Sequence, residues 1–239
     1  MALTVTVLGC SGSYSGPGAA CSGYLVQGAG ATIWLDAGPG TLANLQRHVA
    51  LDAVDAVVLS HEHPDHCRDI EGYYVACRWV VPRERVLVMA PPGVRQHCYY
   101  QDPPLEWKDV GDGDQAVIGG LGLTFSRTDH PAETLAVRID GDGCSLAYTA
   151  DTGPGWSLRA LGRGIDLALC DASVLADKEG TAPHMSARQA GADARAAGVG
   201  RLVLTHLQPT TDPALARAEA AAAFGADVEV ATTGAAWSL

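Results

Sequence analysis

Lysine is nearly missing: Lys108 and Lys178 are the only two in 239 residues, and the net charge is −11. A chain that grips long nucleic acid shows a basic stripe, because neutralised phosphates supply most of that affinity. Here the arginines are dispersed. That argues against an extended nucleic-acid footprint and leaves room for a small phosphorylated substrate held by metals. Long apolar runs are missing too. The longest, such as residues 53–59, are strand-length and far short of the ~20 residues a bilayer needs, so no membrane partner is expected. Residues 1–10 carry no basic n-region and read as a first strand rather than a signal peptide, which points to the cytoplasm. Cys10, Cys21, Cys67, Cys77, Cys98, Cys144 and Cys170 are scattered, odd in number and without a C-x-x-C pair. They read as reduced thiols, not as a disulfide framework.

With 47% apolar and 18% charged residues, the chain fits one α/β domain spanning residues 1–239 with a sizeable core. Residues 3–8, 24–27 and 32–35 read as strands between Gly-rich turns, and 40–49 as a helix. Residues 55–59 form a buried strand, 70–80 a helix ending before Pro82, and 86–90 another strand. The stretch 102–122, rich in Gly, Asp and Pro, is expected to be the seam between two similar halves. Beyond it, strands are expected at 123–126, 134–139, 145–149, 166–169, 201–204 and 228–231. Ser186 and Gln189 make a capping box for a helix stopped by Gly198, and Asp212 caps another that opens on Pro213 and ends before Gly225. Such an order suggests two sheets face to face with helices outside.

The strongest signal is His61-Glu62-His63-Pro64-Asp65-His66. Imidazole and carboxylate ligands suit Zn²⁺ and neighbouring divalent metals. Four such groups within six residues cannot easily face one ion but can serve two, His61 and His63 on one side, Asp65 and His66 on the other. The cluster follows a buried strand directly. His130, Asp151 and His206 also follow expected strands, so all of them converge on one edge of the scaffold. A carboxylate can bridge two metals, which makes Asp151 the natural bridge.

The H-x-H-x-D-H hexapeptide, with His130, Asp151 and His206 in this order, resembles the metallo-β-lactamase superfamily over essentially the whole chain. The resemblance implies an α/β fold, an αββα sandwich of two mixed sheets flanked by helices, with the metals at one edge. It also implies His61, His63 and His130 on one ion, Asp65, His66 and His206 on a second, and Asp151 between them. The expected cofactors are therefore two divalent ions, zinc foremost, with manganese or iron as alternatives. Trp34-Leu35-Asp36-Ala37-Gly38 matches the family's early Asp-Gly motif, where Asp36 orients the site. His63 in place of glutamate disfavours the di-iron oxidoreductases of the superfamily, and Asp151 stands where many true β-lactamases have cysteine.

Pro183-His184-Met185-Ser186, its helix, and residues 202–206 resemble the ribonuclease Z branch, in which a histidine sits near the scissile phosphate. Met185 and Ser186 depart from that branch's Ser-Thr, so only His184 carries over. The branch's transfer-RNA arm would lie between His130 and Asp151, and the 21-residue spacing, with two strands to fit, leaves no room for it. The chain looks instead like small proteins of this branch associated with cyclic-nucleotide phosphodiesterase activity. The expected partner is thus a small phosphodiester, a cyclic nucleotide first. Asp65 would orient the attacking water and His184 would protonate the leaving oxygen. Rivals are lactone, thioester or RNA 3′-end hydrolysis at the same centre, or a non-catalytic binding protein. The oligomeric state is open, a homodimer included.

Other residues read more plainly. His48 would end a helix, His97 beside Tyr99 and Tyr100 would be packed or at the surface rather than a ligand, and Tyr73, Tyr74 and Trp79 would be core. Cys67 is not expected to ligate. The loop 11–16, Ser-Gly-Ser-Tyr-Ser-Gly, is either a phosphate-binding run of backbone N–H groups or an ordinary turn.

Overall fold

Successive strand residues point to opposite faces, and here both faces are apolar. In the computed structural model, which describes residues 2–239, Ile33 and Leu35 enter one core while Trp34 between them enters another. Met1, the start of the stretch read above as leader-free, lies outside the described residues.

One sheet contains β1 (Thr4–Gly9), β2 (Gly23–Gly28), β3 (Ala31–Leu35), β4 (Ala56–Val58), β5 (Val86–Ala90) and β6 (Leu105–Asp109). The other contains β7 (Gln115–Ile118), β8 (Leu121–Arg127), β9 (Leu135–Gly141), β10 (Cys144–Tyr148), β11 (Leu167–Asp171), β12 (Arg201–Thr205) and β13 (Glu229–Val230). A last strand, β14 (Ala236–Ser238), returns to the first sheet beside β1, giving the orders β14-β1-β2-β3-β4-β5-β6 and β13-β12-β11-β10-β9-β8-β7. Each sheet is mixed in the same way, antiparallel from β14 to β3 and from β7 to β10, parallel from β3 to β6 and from β10 to β13.

Among the described residues, six α-helices fill the connections: α1 (Thr41–Leu45), α2 (Pro64–Cys67), α3 (Asp69–Val75), α4 (Pro92–Gln96), α5 (Ala187–Ala197) and α6 (Pro213–Phe224). Between the sheets, Val7, Tyr24, Ile33 and Val58 meet Leu123, Phe125, Ile139 and Leu169. Leu45, Ile70 and Tyr73 from α1 and α3 cover Trp34 and Val57 on the outer face of the first sheet. Ala190, Ala194, Ala216 and Ala220 from α5 and α6 cover Ala168 and Leu202 on the second. Each large side chain buried in these layers contributes about 1.5–3 kcal/mol. The result is the expected αββα sandwich. Both sequence-read caps form: Ser186 with Gln189 makes the capping box of α5, and Asp212 accepts from Ala214 N at the start of α6. No described helix is long and apolar enough to cross a membrane.

Several boundaries differ from the sequence reading. The chain passes from the first sheet to the second within the stretch expected as a seam, but that stretch also holds two strands the sequence reading did not place, β6 and β7, at the edges of different sheets. The exposed Glu106, Lys108 and Asp109 of β6 are what an edge uses against further pairing, and β7 is short and half-exposed, which hides both from an apolar pattern. β14 was not expected at all. The helix read at 40–49 stops at Leu45, so His48 lies beyond it, exposed, and the helix read at 70–80 gives way to a π-helical turn at Ala76–Val80. Trp79 on that turn is 69% exposed, against the expectation of core.

Candidate metal centre

The site lies where four central strands end. β4 runs through Leu59 and Ser60 to His61, and Pro64 at the first position of α2 turns the chain so that Asp65 and His66 fall in the first helical turn. β10 leads to Asp151 and β12 to His206. His130 follows β8, and its loop is tied to the Asp151 loop by Thr128 Oγ1 donating to Asp151 O (2.7 Å) and Gly153 N donating to Asp129 O (2.7 Å). Among the described residues, non-glycine residues take left-handed φ at six places, and four of them, Ser13, Asp36, Ala150 and His206, are in or beside this centre. Such backbone strain persists where the surroundings impose it, and it gathers at functional sites.

All seven residues singled out from the sequence come together, in two groups. In the first, His63 Nδ1 lies 3.0 Å from His61 Nε2 and 3.2 Å from His130 Nε2. Asp151 Oδ2 lies 3.5 Å from His61 Nε2 and 3.8 Å from His130 Nε2. In the second, His66 Nε2, His206 Nε2 and Asp65 Oδ2 are 3.2–3.4 Å apart. Asp151 Oδ1 is 3.2 Å from His66 Nε2 and 3.3 Å from His206 Nε2. One carboxylate thus gives one oxygen to each group. Ligand atoms about 2.0–2.2 Å from a tetrahedral ion stand about 3.3–3.6 Å from one another, and both groups have edges of this length. The buried Asp151 Oδ1 has no hydrogen-bond donor, a condition that a cation relieves. The residues present fit a divalent metal.

The outward nitrogens of four of the imidazoles are held from behind, which turns the inward ones toward the place an ion would take. His61 Nδ1 meets Ser60 Oγ (3.0 Å), His66 Nδ1 meets Asp36 Oδ2 (2.8 Å), His130 Nδ1 meets Pro183 O (3.1 Å) and His206 Nδ1 meets Ser173 Oγ (2.7 Å). Asp36 is fully buried and also accepts from Ser60 N, Ser60 Oγ and Tyr148 OH at 2.7–2.8 Å.

Burial holds His61 and His130 below the ordinary imidazole pKa. Burial also disfavours charge on His66, but the Asp151 and Asp36 carboxylates outweigh it and hold its pKa well above that value. His206 behaves alike: against burial, Asp151, Asp171 and Asp65 raise it to about 10. Burial opposes ionisation of Asp65 and Asp151 in turn, and the facing imidazoles nevertheless keep both well below the carboxylate range. Protons and divalent cations therefore compete for the same nitrogens.

His184 stands beside the two groups and, with Asp171, brings a potential ligand atom within 4.8 Å of Asp151 and His206. Its ring stacks on His206 (5.2 Å between centroids, 25° between planes) and lies 5.3 Å from His130. Its Nδ1 donates to Asp171 Oδ2 at 2.8 Å. Asp171 also accepts from Thr152 N and from Ser173, whose hydroxyl holds His206. Sequence reading missed Asp171, although it ends β11 just as His206 follows β12. Met185, which departs from the ribonuclease Z pattern, is a buried core residue, and Ser186 is the α5 cap.

The remaining polar residues stay outside. Cys67 donates toward the carbonyls of Glu62 and His63, and burial pushes its thiol up to about 12. His97 is exposed and bonded to Gly93 O. Tyr73 is core, and Tyr74 stacks on Tyr100 at 4.1 Å.

Residues 31–207 match a family model described as a beta-lactamase superfamily domain. A probable metallo-hydrolase of Bacillus subtilis, YhfI, is 33% identical over 251 residues, covering 98% of this chain and 99% of that protein. Its crystal structure, of a metallo-beta-lactamase fold protein, superposes with a TM-score of 0.91 at 30% identity and covers 99% of each chain. An uncharacterized protein of Mycobacterium tuberculosis is 35% identical over 244 residues, covering 95% of this chain and 89% of that one. A ribonuclease Z of Mycobacterium bovis is 29% identical over 271 residues, covering 95% of both.

Proposed function

The chain belongs to the β-lactamase superfamily as a metal-dependent hydrolase, and from that premise we propose that it hydrolyses a small phosphodiester, a cyclic nucleotide foremost, at a centre for two divalent ions. The carrying observation is the Asp151 carboxylate divided between two donor groups, with His184 held against their edge by Asp171. His61, His63 and His130 would hold one ion, Asp65, His66 and His206 the other, and Asp151 both, with zinc as the expected metal. Bound there, two divalent ions supply the charge that activates water and neutralises a phosphate.

The chain's own groups do the rest. Asp65 engages the second group through Oδ2, which leaves its other oxygen to accept a hydrogen bond from the attacking water and set its direction. His184 has Nδ1 committed to Asp171. Its Nε2 makes no hydrogen bond to a described residue and is the donor for the leaving oxygen as the P–O bond breaks. Burial works against a charged His184, but the Asp171 hydrogen bond and carboxylate outweigh it and raise its pKa, which favours the protonated ring a donor needs.

Two features favour a small substrate over transfer RNA. The chain between His130 and Asp151 is occupied by β9 and β10, and the net charge is −11. A relative named for cleaving RNA favours phosphodiester chemistry over lactones or thioesters. The non-catalytic reading meets seven intact ligand positions. The test is a hydrolysis screen of metal-loaded protein against cyclic nucleotides, bis-p-nitrophenyl phosphate, lactones and thioesters. Phosphodiester turnover is expected, and fast lactone opening with no phosphodiesterase activity would overturn the proposal.

A further inference from the structure

The loop 11–16 reaches into the centre. The backbone N–H of Ser13 points at His206 Nε2, 3.4 Å away. That same nitrogen lies 3.2 Å from Asp65 Oδ2 and 3.3 Å from Asp151 Oδ1, so the N–H enters at the rim of the second donor group. Ser13 itself is exposed, and a molecule approaching from solvent meets it directly.

The loop is built to keep the N–H there. Gly12 N donates to Leu207 O at 2.9 Å, Tyr14 N closes the turn onto Gly12 O at 2.8 Å, and Ser11 Oγ donates to Tyr14 O at 2.8 Å. Position 12 admits no side chain, because a Cβ would stand 2.1 Å from the carbonyl oxygen of His206. Ser13 holds φ at 62°, a left-handed conformation that costs a serine roughly 1–2 kcal/mol.

Once the His206 lone pair is given to a divalent ion, the Ser13 N–H loses its acceptor and faces the rim beside that ion. An oriented N–H next to a cation site matches an anionic oxygen. We propose that the Ser13 backbone N–H donates to a non-bridging oxygen of the substrate phosphate, with loop 11–16 as one wall of the phosphate subsite. This rests on the phosphodiester reading above. The contact is made by backbone, so it does not depend on the Ser13 side chain.

The probe is inorganic phosphate added to metal-loaded, ¹⁵N-labelled protein. The Ser13 amide proton should move downfield saturably and show a through-hydrogen-bond coupling to ³¹P. Ser13→Gly keeps the N–H and should bind phosphate with wild-type affinity. Replacing residue 13 by its α-hydroxy acid turns that amide into an ester, which removes the donor and weakens Gly12 O as the acceptor of Tyr14 N; phosphate should then bind about 10-fold or more weakly, as expected for one hydrogen bond to a charged oxygen. A Ser13 amide that stays still while phosphate saturates the centre overturns the inference, as does wild-type affinity in the ester, or phosphate that does not bind. Each of these leaves the hydrolysis reading to its own screen. A Ser13–phosphate contact in a protein that turns over no phosphodiester removes the functional reading alone.

Discussion

His184 Nδ1 and Asp171 Oδ2 stand 2.8 Å apart, and this contact decides which nitrogen of His184 faces the metal edge. Asp171 is fully buried, so turning the ring would leave its Oδ2 with the Thr152 N–H alone. His184→Ala should lower kcat by about 10²–10⁴-fold with metal content near wild type. The loss should shrink for nitrophenol esters, whose leaving oxygen needs no proton. Asp171→Asn should show the same leaving-group pattern with a smaller drop. Metal analysis beside kcat for both ester classes checks this, and a leaving-group-independent loss would contradict the proton-donor role.

Asp151 offers one oxygen to each donor group, so its removal should act on both ions at once. Wild-type protein is expected to hold two divalent ions per chain, and Asp151→Ala should hold neither tightly. His63→Ala should weaken the first ion only. Elemental analysis after dialysis reads all three proteins. One ion in fully loaded wild type, or two in the Asp151 variant, would contradict the assignment.

Metal affinity should rise with pH. In the metal-free protein the pKa of His206 is about 10, so near neutral pH the imidazole holds a proton that binding must release. Calorimetry in two buffers of different ionisation enthalpy should detect that release. The linkage has a second consequence, because the folded pKa lies above the unfolded value of about 6.5. The stabilisation is complete below about 6.5 and fades as pH climbs through the folded value of about 10. Metal-free protein should therefore lose stability between neutral and alkaline pH, and loaded protein should lose less. Proton-independent metal binding would contradict the charge pattern.

Asp36 joins four donors at 2.7–2.8 Å, from Ser60 N, Ser60 Oγ, His66 Nδ1 and Tyr148 OH. Asp36→Ala leaves them buried without an acceptor and should cost about 3–5 kcal/mol in urea unfolding. Metal affinity should fall about 10–100-fold, as for other groups that orient a ligand. Tyr148→Phe removes one donor and should cost about 1 kcal/mol.

The sandwich and the centre were legible because their signals are local. Ligands crowd into six residues from His61 to His66, and central strands such as Val86–Ala90 are continuous apolar runs. The edges were not. Leu105–Asp109 and Gln115–Ile118 are largely exposed, and the charges of the first and the shortness of the second imitate a loop. Ala236–Ser238 is too short to carry a pattern, and it forms because β1 offers it an unpaired edge. Asp171 escaped because a single carboxylate after apolar residues is common. Only the parallel pairing of β10, β11 and β12 shows that it reaches the same edge as Asp151 and His206. Trp79 looked like core from residue type alone, and the π-helical turn that carries it faces outward.

Metal-loaded protein incubated with a 3′,5′-cyclic nucleotide in ¹⁸O-enriched water, followed by ³¹P NMR, tests the proposed hydrolysis most directly. The predicted result is a nucleoside monophosphate carrying one ¹⁸O on phosphorus, formed by wild type and formed about 10²–10⁴-fold more slowly by His184→Ala. Cyclic nucleotide left intact by a protein that turns over a lactone, a thioester or precursor transfer RNA would contradict it.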